Sequence, residues 1–315
     1  MLVWLKRIAA FAAVALTTAC GGGNDDPAPP PAPVGNVVQV AQGNADFSIL
    51  VEAVTAADLG ATLSGPGPFT VFAPTNAAFA ALLTELGLTK AQLLADKPLL
   101  TAVLTYHVLP SRVFKAGIPL GAHITTAQGG FFKIEEAGSA VVITDARNRT
   151  SNIVTTDIRA NNGIVHAIDK VLLPGNKNIV HTASALPDFS ILVEAVVAAN
   201  LGGTLSGPGP FTVFAPTNAA FASLLTELGI SKAALLANTA LLTKVLTYHV
   251  VPGVVLKAEV PVGAPITTVQ GETFSVSAAL AITDKRARVS NITTTDVLTS
   301  NGVIHVIDKV ILPAP

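Results

Sequence analysis

Cysteine is almost absent from this chain. Among its 315 residues there is one, Cys20, so no disulfide within the chain can hold the fold together. Charged residues make up 12% of the sequence, and Pro, Gly, Thr or a charge interrupts every apolar run before it reaches the roughly 18 residues of a membrane-spanning helix. Half of the residues are nevertheless hydrophobic, and a chain of this length can bury two ordinary domain cores without disulfides.

Motifs that mark common classes of enzyme are also missing. The sequence has no Gly-x-Ser-x-Gly elbow, no Gly-x-x-x-x-Gly-Lys phosphate loop and no His-Glu-x-x-His pair. Its only tryptophan is Trp4, so the rest of the chain has no indole on which a sugar could stack. These absences favour a protein that is not an enzyme, has no catalytic residues and needs no cofactor. A hydrolase stays open as an alternative that a nucleophile, a base and an oxyanion pocket in one cleft would support.

The first twenty residues have the pattern of an export signal. Lys6 and Arg7 give a basic start, an apolar segment covers 8–16, and small residues lead to Cys20. This pattern resembles the processing site of bacterial lipoproteins, which implies a signal peptide over 1–19 and lipidation of Cys20. It departs from the usual pattern at Thr17, where leucine is expected. An ordinary signal cleaved near residue 19, with a chance cysteine, is the alternative.

A segment rich in proline and glycine, 20–35, follows and predicts an extended, solvated tether. Removal of 1–19 leaves 17 basic and 20 acidic residues, a net charge of −3, which argues against a nucleic-acid partner. Gly21 after the cysteine favours the outer membrane by the same resemblance. We therefore expect an exported protein of the cell envelope, an outer-membrane lipoprotein or cell-surface protein, that meets the membrane only through its lipid anchor.

One long stretch of the chain occurs twice. Residues 62–80 return letter for letter as 204–222, nineteen identical residues at an offset of 142. The flanking matches predict two domains, 36–174 and 178–313, with a very short connection between them. The offset falls to 139 later in the copies, and we expect the three missing residues in a hairpin turn near residue 138.

Apolar spacing and turn residues predict helices early and strands late in each copy. The first copy opens with a helix that Asp46 caps, followed by a strand and a second helix that Thr75 begins and Gly87 ends. Further helices are predicted over 90–95 and 99–104, and strands over 69–72, 124–127, 131–135, 141–144, 152–156 and 164–173. This order predicts the α+β class, with a mainly antiparallel sheet and helices packed on one side.

Three motifs stand in the same order in both copies. They read TVFAPTNAAF, TYHV, and NGIVHAIDKVLLP or NGVIHVIDKVILP. In this order they resemble fasciclin-like domains, and the resemblance covers almost all of the chain after the tether. It implies two tandem domains, each a wedge-shaped β core beside a helical layer. It also implies an extracellular setting and a role in adhesion or interaction at cell surfaces and matrices.

Four of the six histidines are paired by the repeat, His107 with His249 and His166 with His305. A metal site that adds Asp169 is conceivable, but residues i and i+3 of a strand point to opposite faces and do not easily share one ion. We therefore predict hydrogen-bonded structural histidines and no metal.

Each of the two tyrosines precedes a paired histidine, in a segment predicted to be extended. The family resemblance implies that Tyr106, His107, Tyr248 and His249 contact a partner. Because neighbouring residues of a strand face opposite ways, at least one of each pair is expected to enter the core, and a core role for both is the alternative.

Paired arginines mark the hairpin that follows Asp145 and its repeat. Planar guanidinium groups can recognise the carboxylates or sulfates of an acidic polysaccharide. The alternative is a solvated loop whose charge deters pairing at a sheet edge. These candidate contact residues are Arg147, Arg149, Arg286 and Arg288.

Together these patterns predict a lipid-anchored, non-enzymatic surface protein whose two domains bind surface or matrix proteins. Two similar surfaces on one chain would gain avidity, although duplication without a selected benefit explains the same identity. The Ala, Val and Leu richness leaves a second hypothesis, an envelope protein that binds a small apolar or lipidic ligand in a cavity between helices and sheet.

Overall fold

The computed structural model describes residues 35–315. The predicted signal peptide 1–19, the lipidation site Cys20 and the tether up to residue 34 lie outside the described residues. Within residues 35–315, no helix combines the length and the apolar character needed to cross a bilayer.

The first copy folds as helices, then strands. Its helices are α1 Val37–Gln42, α2 Ser48–Ala56, α3 Gly60–Leu63, α4 Asn76–Leu86, α5 Lys90–Ala95 and α6 Lys97–Tyr106. Its strands are β1 Phe69–Pro74, β2 Val108–Leu109, β3 His123–Thr125, β4 Phe131–Ala137, β5 Ala140–Thr144, β6 Thr150–Ala160 and β7 Gly163–Ile168.

The second copy repeats this order. Its helices are α7 Ile179–Ser184, α8 Ser190–Ala198, α9 Gly202–Ser206, α10 Asn218–Leu228, α11 Lys232–Ala237 and α12 Thr239–Tyr248. Its strands are β8 Phe211–Pro216, β9 Val250–Pro252, β10 Pro265–Thr267, β11 Thr273–Val276, β12 Ala281–Thr283, β13 Val289–Thr299 and β14 Gly302–Ile307. The β11–β12 hairpin, 273–283, is three residues shorter than the β4–β5 hairpin, 131–144, as the change of offset predicts. The loss falls on the strands and not on the turn, which has four residues, 277–280, against two, 138–139.

Each copy contains one seven-stranded sheet. The order in the first is β2-β1-β7-β6-β5-β4-β3, and the second has the same order. Only β1 and β7 pair in parallel, while their neighbours pair antiparallel. The predicted α+β class with a mainly antiparallel sheet is therefore confirmed.

Two apolar clusters stabilise each copy, one on either side of β1 and β7. Val71 and Ala73 face the helices and pack with Phe79 of α4, whereas Phe72 faces the other way and packs with Phe132 of β4. This alternation is the period-two pattern of a strand. A sheet that buries both faces explains the continuous apolar sequence of β7.

The buried Asn162 explains the Asn-Gly of the third motif. Its side-chain oxygen accepts from the Val37 backbone N–H at 2.9 Å, and its amide donates to the carbonyls of Leu63 (2.9 Å) and Gly65 (2.7 Å). At Gly163 a Cβ would strike the Phe69 carbonyl of the neighbouring strand. Asn301 makes the matching bonds in the second copy. In each copy this asparagine therefore ties the first helix and the turn before the first strand to the start of the last strand.

Local signals predict several helix ends correctly. Thr75 accepts from the Ala78 N–H and caps α4, and Gly87 ends that helix in the left-handed region with φ 65°. The predicted cap at Asp46 is wrong. Asp46 lies within a short 3-10 turn, and Asn44 accepts its backbone N–H.

Candidate functional site

The Tyr-His pair lies in the core of each copy. Tyr106 is the last residue of α6 and His107 caps that helix, so the extended conformation predicted there is wrong. The side chains of Tyr106, His107, Tyr248 and His249 are 0 to 2% exposed. The structure therefore supports the core role for both residues of each pair.

Hydrogen bonds explain why these polar side chains tolerate burial. The Tyr106 hydroxyl donates to the Phe131 carbonyl at 2.6 Å and accepts from the Ala146 N–H at 3.0 Å. His107 Nδ1–H donates to Val103 O at 2.7 Å, and its Nε2 accepts from the Leu172 N–H at 2.9 Å. In both ring systems each polar atom has a partner, as buried groups require.

The imidazoles of His107 and His249 are neutral at physiological pH. His249 repeats the bonds of its counterpart, with Val245 O at 2.8 Å and the Ile311 N–H at 3.1 Å. Burial lowers the pKa of each histidine to about 4, against 6.5 for an ordinary imidazole. Neither ring has a nitrogen left for a metal ion or a partner.

His166 and His305 also serve the fold. His166 Nε2–H donates to Val113 O at 3.0 Å, and Nδ1 accepts from the Asp157 N–H at 3.2 Å. Asp169 lies elsewhere and accepts from Asn152. Throughout the described part of the chain, no three His, Cys, Asp or Glu side chains come together as metal ligands.

A buried aspartate shapes the arginine hairpin, which sequence analysis did not foresee. Asp145 Oδ1 accepts the backbone N–H groups of Arg147 and Arg149, both at 2.9 Å, and its Oδ2 accepts the Leu173 N–H at 3.0 Å. Burial raises the pKa of Asp145, and these bonds oppose the rise. Asp284 makes the same three bonds in the second copy. The Asp-x-Arg-x-Arg spacing, present twice, is the signal that could have identified this role.

The two arginines of each hairpin have different surroundings. Arg149 is committed within the chain: it binds Glu85 of α4 at 2.8 Å and lies 3.6 Å from Asp145. Arg147 uses its Nε–H on the Pro174 carbonyl at 3.1 Å and forms no ion pair with any residue of 35–315. Arg288 and Arg286 repeat this division. The edge-protection alternative is wrong, because β5 and β6 are interior strands of the sheet.

A family model described as "Fasciclin domain" matches residues 45–174 and 187–313. The chain belongs to the fasciclin domain family. Its two copies are therefore called the first and the second fasciclin domain below.

Several curated proteins are similar to this chain. "Transforming growth factor-beta-induced protein ig-h3" from Sus scrofa is 31% identical over 254 residues, which cover 80% of this chain and 35% of that protein. "Protein sll1483" from Synechocystis sp. is 42% identical over 140 residues, 44% of this chain and 73% of that protein. "Cell surface glycolipoprotein MPB83" from Mycobacterium bovis is 34% identical over 143 residues, 44% of this chain and 60% of that protein. The chain thus spans about a third of the length of the ig-h3 protein.

Among solved structures, a FAS1 domain pair from the insect cell adhesion molecule fasciclin I is similar to this chain. The alignment covers 87% of this chain and 95% of that chain, with 18% sequence identity and a TM-score of 0.42.

An interface joins the two fasciclin domains, and sequence analysis missed it. Phe131 of the first domain packs with Leu256, Leu298 and Val303 of the second in one buried cluster. Beside this cluster, Lys133 Nζ binds the buried Asp296 carboxylate at 3.1 Å.

Polar contacts surround the apolar cluster of this domain interface. His123 Nδ1 lies 2.7 Å from Glu259 Oε1. Asn148, at the tip of the first arginine hairpin, accepts the Leu298 N–H at 2.8 Å and donates to the Leu298 carbonyl at 3.0 Å. The connection between the domains is also held, because the Lys177 carbonyl accepts the Ser300 N–H at 2.9 Å.

The two fasciclin domains differ in sequence where they meet. Most contact residues of the domain interface correspond to a different residue type at the equivalent position of the other domain, whereas Asp296 corresponds to Asp157. On the first-domain side these pairs are Phe131/Thr273, Lys133/Ser275, His123/Pro265 and Asn148/Ala287. On the second-domain side they are Arg112/Val254, Phe114/Leu256, Gly117/Glu259 and Arg159/Leu298. Divergence between the copies is therefore the sequence signal that could have located the interface.

Proposed function

We propose that this chain is a non-enzymatic protein of the cell surface, anchored through a lipidated Cys20, that binds surface or matrix proteins through its fasciclin domains. Family membership supports the interaction role, and one relative is named a cell surface glycolipoprotein. The signal-like segment before Cys20 supports export and anchoring in the envelope. On this proposal the lipid anchor inserts into the outer membrane.

The observation that carries this proposal is an unused binding face on the first domain. The second domain contacts its neighbour with a face that includes Leu256, 0% exposed, and Leu298. In the first domain the equivalent face carries Phe114, which is 37% exposed, and Arg159. A surface position that recognises protein in one copy is therefore open in the other.

The chemistry of this open face indicates an acidic partner. We define the open face as Arg112, Phe114, Lys115 and Arg159, all of them exposed. The half-buried Asp157, the equivalent of Asp296, accepts the Lys115 backbone N–H at 2.8 Å, so three cationic side chains stand beside one carboxylate. The Arg159 guanidinium lies over the Phe114 ring, 5.4 Å from its centroid. Arginine beside an aromatic ring is a composition typical of interface centres, where guanidinium groups bind carboxylates in bidentate fashion.

The free end of the second domain adds a further contact. Its arginine hairpin has Ala287 where the first has Asn148, so it lacks the bonds that tie the first hairpin into the domain interface. Lys285 is exposed there and suits an acidic polysaccharide. Avidity on this proposal comes from two different open surfaces, rather than from two equal ones. The buried Tyr106, His107, Tyr248 and His249 support these surfaces from within and contact a partner only if the core opens.

Removal of charge from the open face tests the proposal. The mature protein is passed over a layer of matrix and envelope proteins from its host, and its retention is measured by interferometry. Arg112→Ser with Arg159→Ser should reduce the affinity about tenfold or more, since each charge-assisted hydrogen bond contributes roughly 1.5–3 kcal/mol. Soluble polyglutamate should compete with the layer for the protein and reduce its retention. Alginate should reduce only the part of the retention that the Lys285→Ser variant has lost.

A matched pair of lysine variants controls for net charge. Lys90→Ser with Lys97→Ser removes the same charge from α5 and α6, where both lysines form exposed ion pairs. Equal loss of retention in this control would refute recognition by the open face. Mass spectrometry of the same preparation checks the anchor, and an unmodified Cys20 thiol would refute lipidation.

A further inference from the structure

Each fasciclin domain contains an apolar cavity that the interaction role does not use. In the first domain it measures about 260 Å³ and lies among α4, α5 and α6. In the second it measures about 180 Å³ among α10, α11 and α12. We call these the leucine grooves, and side chains such as Leu82, Leu93, Leu100 and Val103 line the first of them.

The size of the grooves restricts what they can hold. An apolar cavity of about 150 Å³ stays dry and admits a benzene ring, whereas drug-sized ligands occupy pockets of roughly 300–1,000 Å³. Both grooves lie between these values, a size that suits part of one alkyl chain and excludes a two-chain phospholipid. Leu86 is 37% exposed and lines the first groove, and Leu228, 39% exposed, lines the second, so a chain can enter from solvent.

A single cation interrupts the apolar lining of each groove. It is Arg147 in the first domain and Arg286 in the second. The Arg147 side chain is half-buried, and this partial removal from water lowers the pKa of its guanidinium. Its Nε–H is bound to the Pro174 carbonyl, while no carboxylate of residues 35–315 pairs with it.

The neighbouring arginine fixes this arrangement. Arg149 crosses from the hairpin to Glu85 of α4, and Arg288 crosses to Glu227 of α10. Each hairpin is thereby held against the helix that forms one wall of the groove. The division of the two arginines, one paired and one beside an apolar cavity, occurs in both domains.

We propose that each leucine groove binds the alkyl chain of a single-chain fatty acid, with the carboxylate on Arg147 or Arg286. The guanidinium presents two parallel N–H groups to a carboxylate. At the half-buried Arg147 the partial loss of water strengthens that bond, whereas Arg286 is exposed. The apolar wall supplies the binding free energy of the chain. This site narrows the broader possibility of an apolar or lipidic ligand to one headgroup and one chain.

Calorimetry with dodecanoate tests the proposal on the full mature protein. Lipid that is bound without a covalent bond is first extracted, and dodecanoate is kept below the concentration at which it forms micelles. The expected result is saturable binding of two dodecanoate molecules, with dodecanol weaker by about tenfold or more because it cannot make the charged bond. This comparison needs no variant. Absence of saturable binding, or equal affinity for dodecanol, would overturn the proposal.

Three variants separate the headgroup contact from the groove. Arg147→Leu with Arg286→Leu should lower the affinity for dodecanoate to that for dodecanol and leave the affinity for dodecanol unchanged. Val103→Phe, which fills the first groove, should reduce the stoichiometry from two to one for both probes. Arg159→Leu, which removes a positive charge from the open face, should change neither affinity. A dodecanoate affinity that stays at the wild-type value in the double arginine variant, or that falls equally in the Arg159 variant, would contradict the assignment.

Discussion

At the scale of single residues, the two Tyr-His pairs show how burial changes the meaning of a motif. Sequence analysis left open whether His107 and His249 contact a partner or belong to the core, since a strand places adjacent residues on opposite faces. Tyr106 instead ends a helix, and both side chains turn inward to bond with backbone groups far along the chain. Those distant partners depend on the tertiary fold, so no local pattern could reveal them.

Acid should destabilise the protein through these histidines. Their pKa is about 4 in the folded protein and near 6.5 when unfolded, so the unfolded chain binds protons more readily between these values. The contribution of each histidine to the free energy of unfolding is fully present above pH 6.5. It is lost as the pH drops toward 4, a decrease of about 3 kcal/mol per histidine. Urea unfolding midpoints measured at several pH values should therefore decrease over this window.

Glutamine variants identify the source of the acid effect. His107→Gln with His249→Gln should flatten the pH dependence between 6.5 and 4, because glutamine can donate and accept without titrating. His181→Gln alters an exposed histidine and should leave the dependence as in the wild type. An unchanged slope in the double variant would show that other groups are responsible.

At the scale of elements, the segment after β7 explains a wrong strand boundary. Sequence analysis predicts a strand over 164–173, because the residues alternate and are apolar, but β7 ends at Ile168. Beyond it, backbone N–H groups donate to side chains from three distant parts of the chain: the Lys170 N–H to the Ser151 hydroxyl, the Leu172 N–H to His107 and the Leu173 N–H to Asp145. The periodic pattern reports burial correctly, but it does not distinguish a strand partner from a side-chain partner.

Asp145 should stabilise the hairpin and this terminal segment together. The Asp145→Asn side chain has one oxygen in place of two. That oxygen can accept either the N–H groups of Arg147 and Arg149 or the Leu173 N–H, and in both orientations the amide NH₂ group faces a buried N–H donor. We expect the free energy of unfolding to fall by about 1–3 kcal/mol, the usual cost of an unsatisfied buried donor. Urea denaturation measures this change.

An exposed aspartate provides the control for this substitution. Asp46→Asn removes the same charge at the 3-10 turn and should alter the free energy of unfolding by less than about 0.5 kcal/mol. If the two variants were equally stable, the buried carboxylate would not organise the hairpin.

At the scale of the whole molecule, duplication has produced two unequal domains. Many of their internal bonds match, as with Asn162 and Asn301, because each core must be satisfied separately. Their surfaces differ where they meet: Lys133 pairs with Asp296, whereas the second domain has Ser275 at the lysine position. The two copies therefore contribute different faces to the domain interface. The face of the first domain that corresponds to the contact face of the second stays open.

Replacement of Lys133 by the residue of the other copy should uncouple the domains. Burial lowers the pKa of Lys133, but hydrogen bonds to the carboxylates of Glu135 and Asp296 and their negative charges raise it above its ordinary value, so the lysine is charged. Lys133→Ser leaves the Asp296 carboxylate buried and unpaired, a change that costs roughly 3–5 kcal/mol. We expect a larger radius of gyration by small-angle scattering and two thermal transitions in place of one.

A lysine outside the domain interface gives the comparison. Lys170→Ser removes an exposed charge from the first domain, and its scattering and melting curves should match those of the wild type. A Lys133→Ser protein with the wild-type radius of gyration would indicate that the apolar cluster alone holds the domains together.

The sequence alone determined the repeat, the α+β class, the caps at Thr75 and Gly87 and the membership of the core, because these depend on local backbone preferences and on apolar periodicity. Tertiary structure alone decided that Arg149 and not Arg147 forms ion pairs, where the leucine grooves open, and which of the two equivalent domain faces is covered. Those outcomes require segments distant in sequence to meet, and the energy of each contact depends on the burial that the meeting creates.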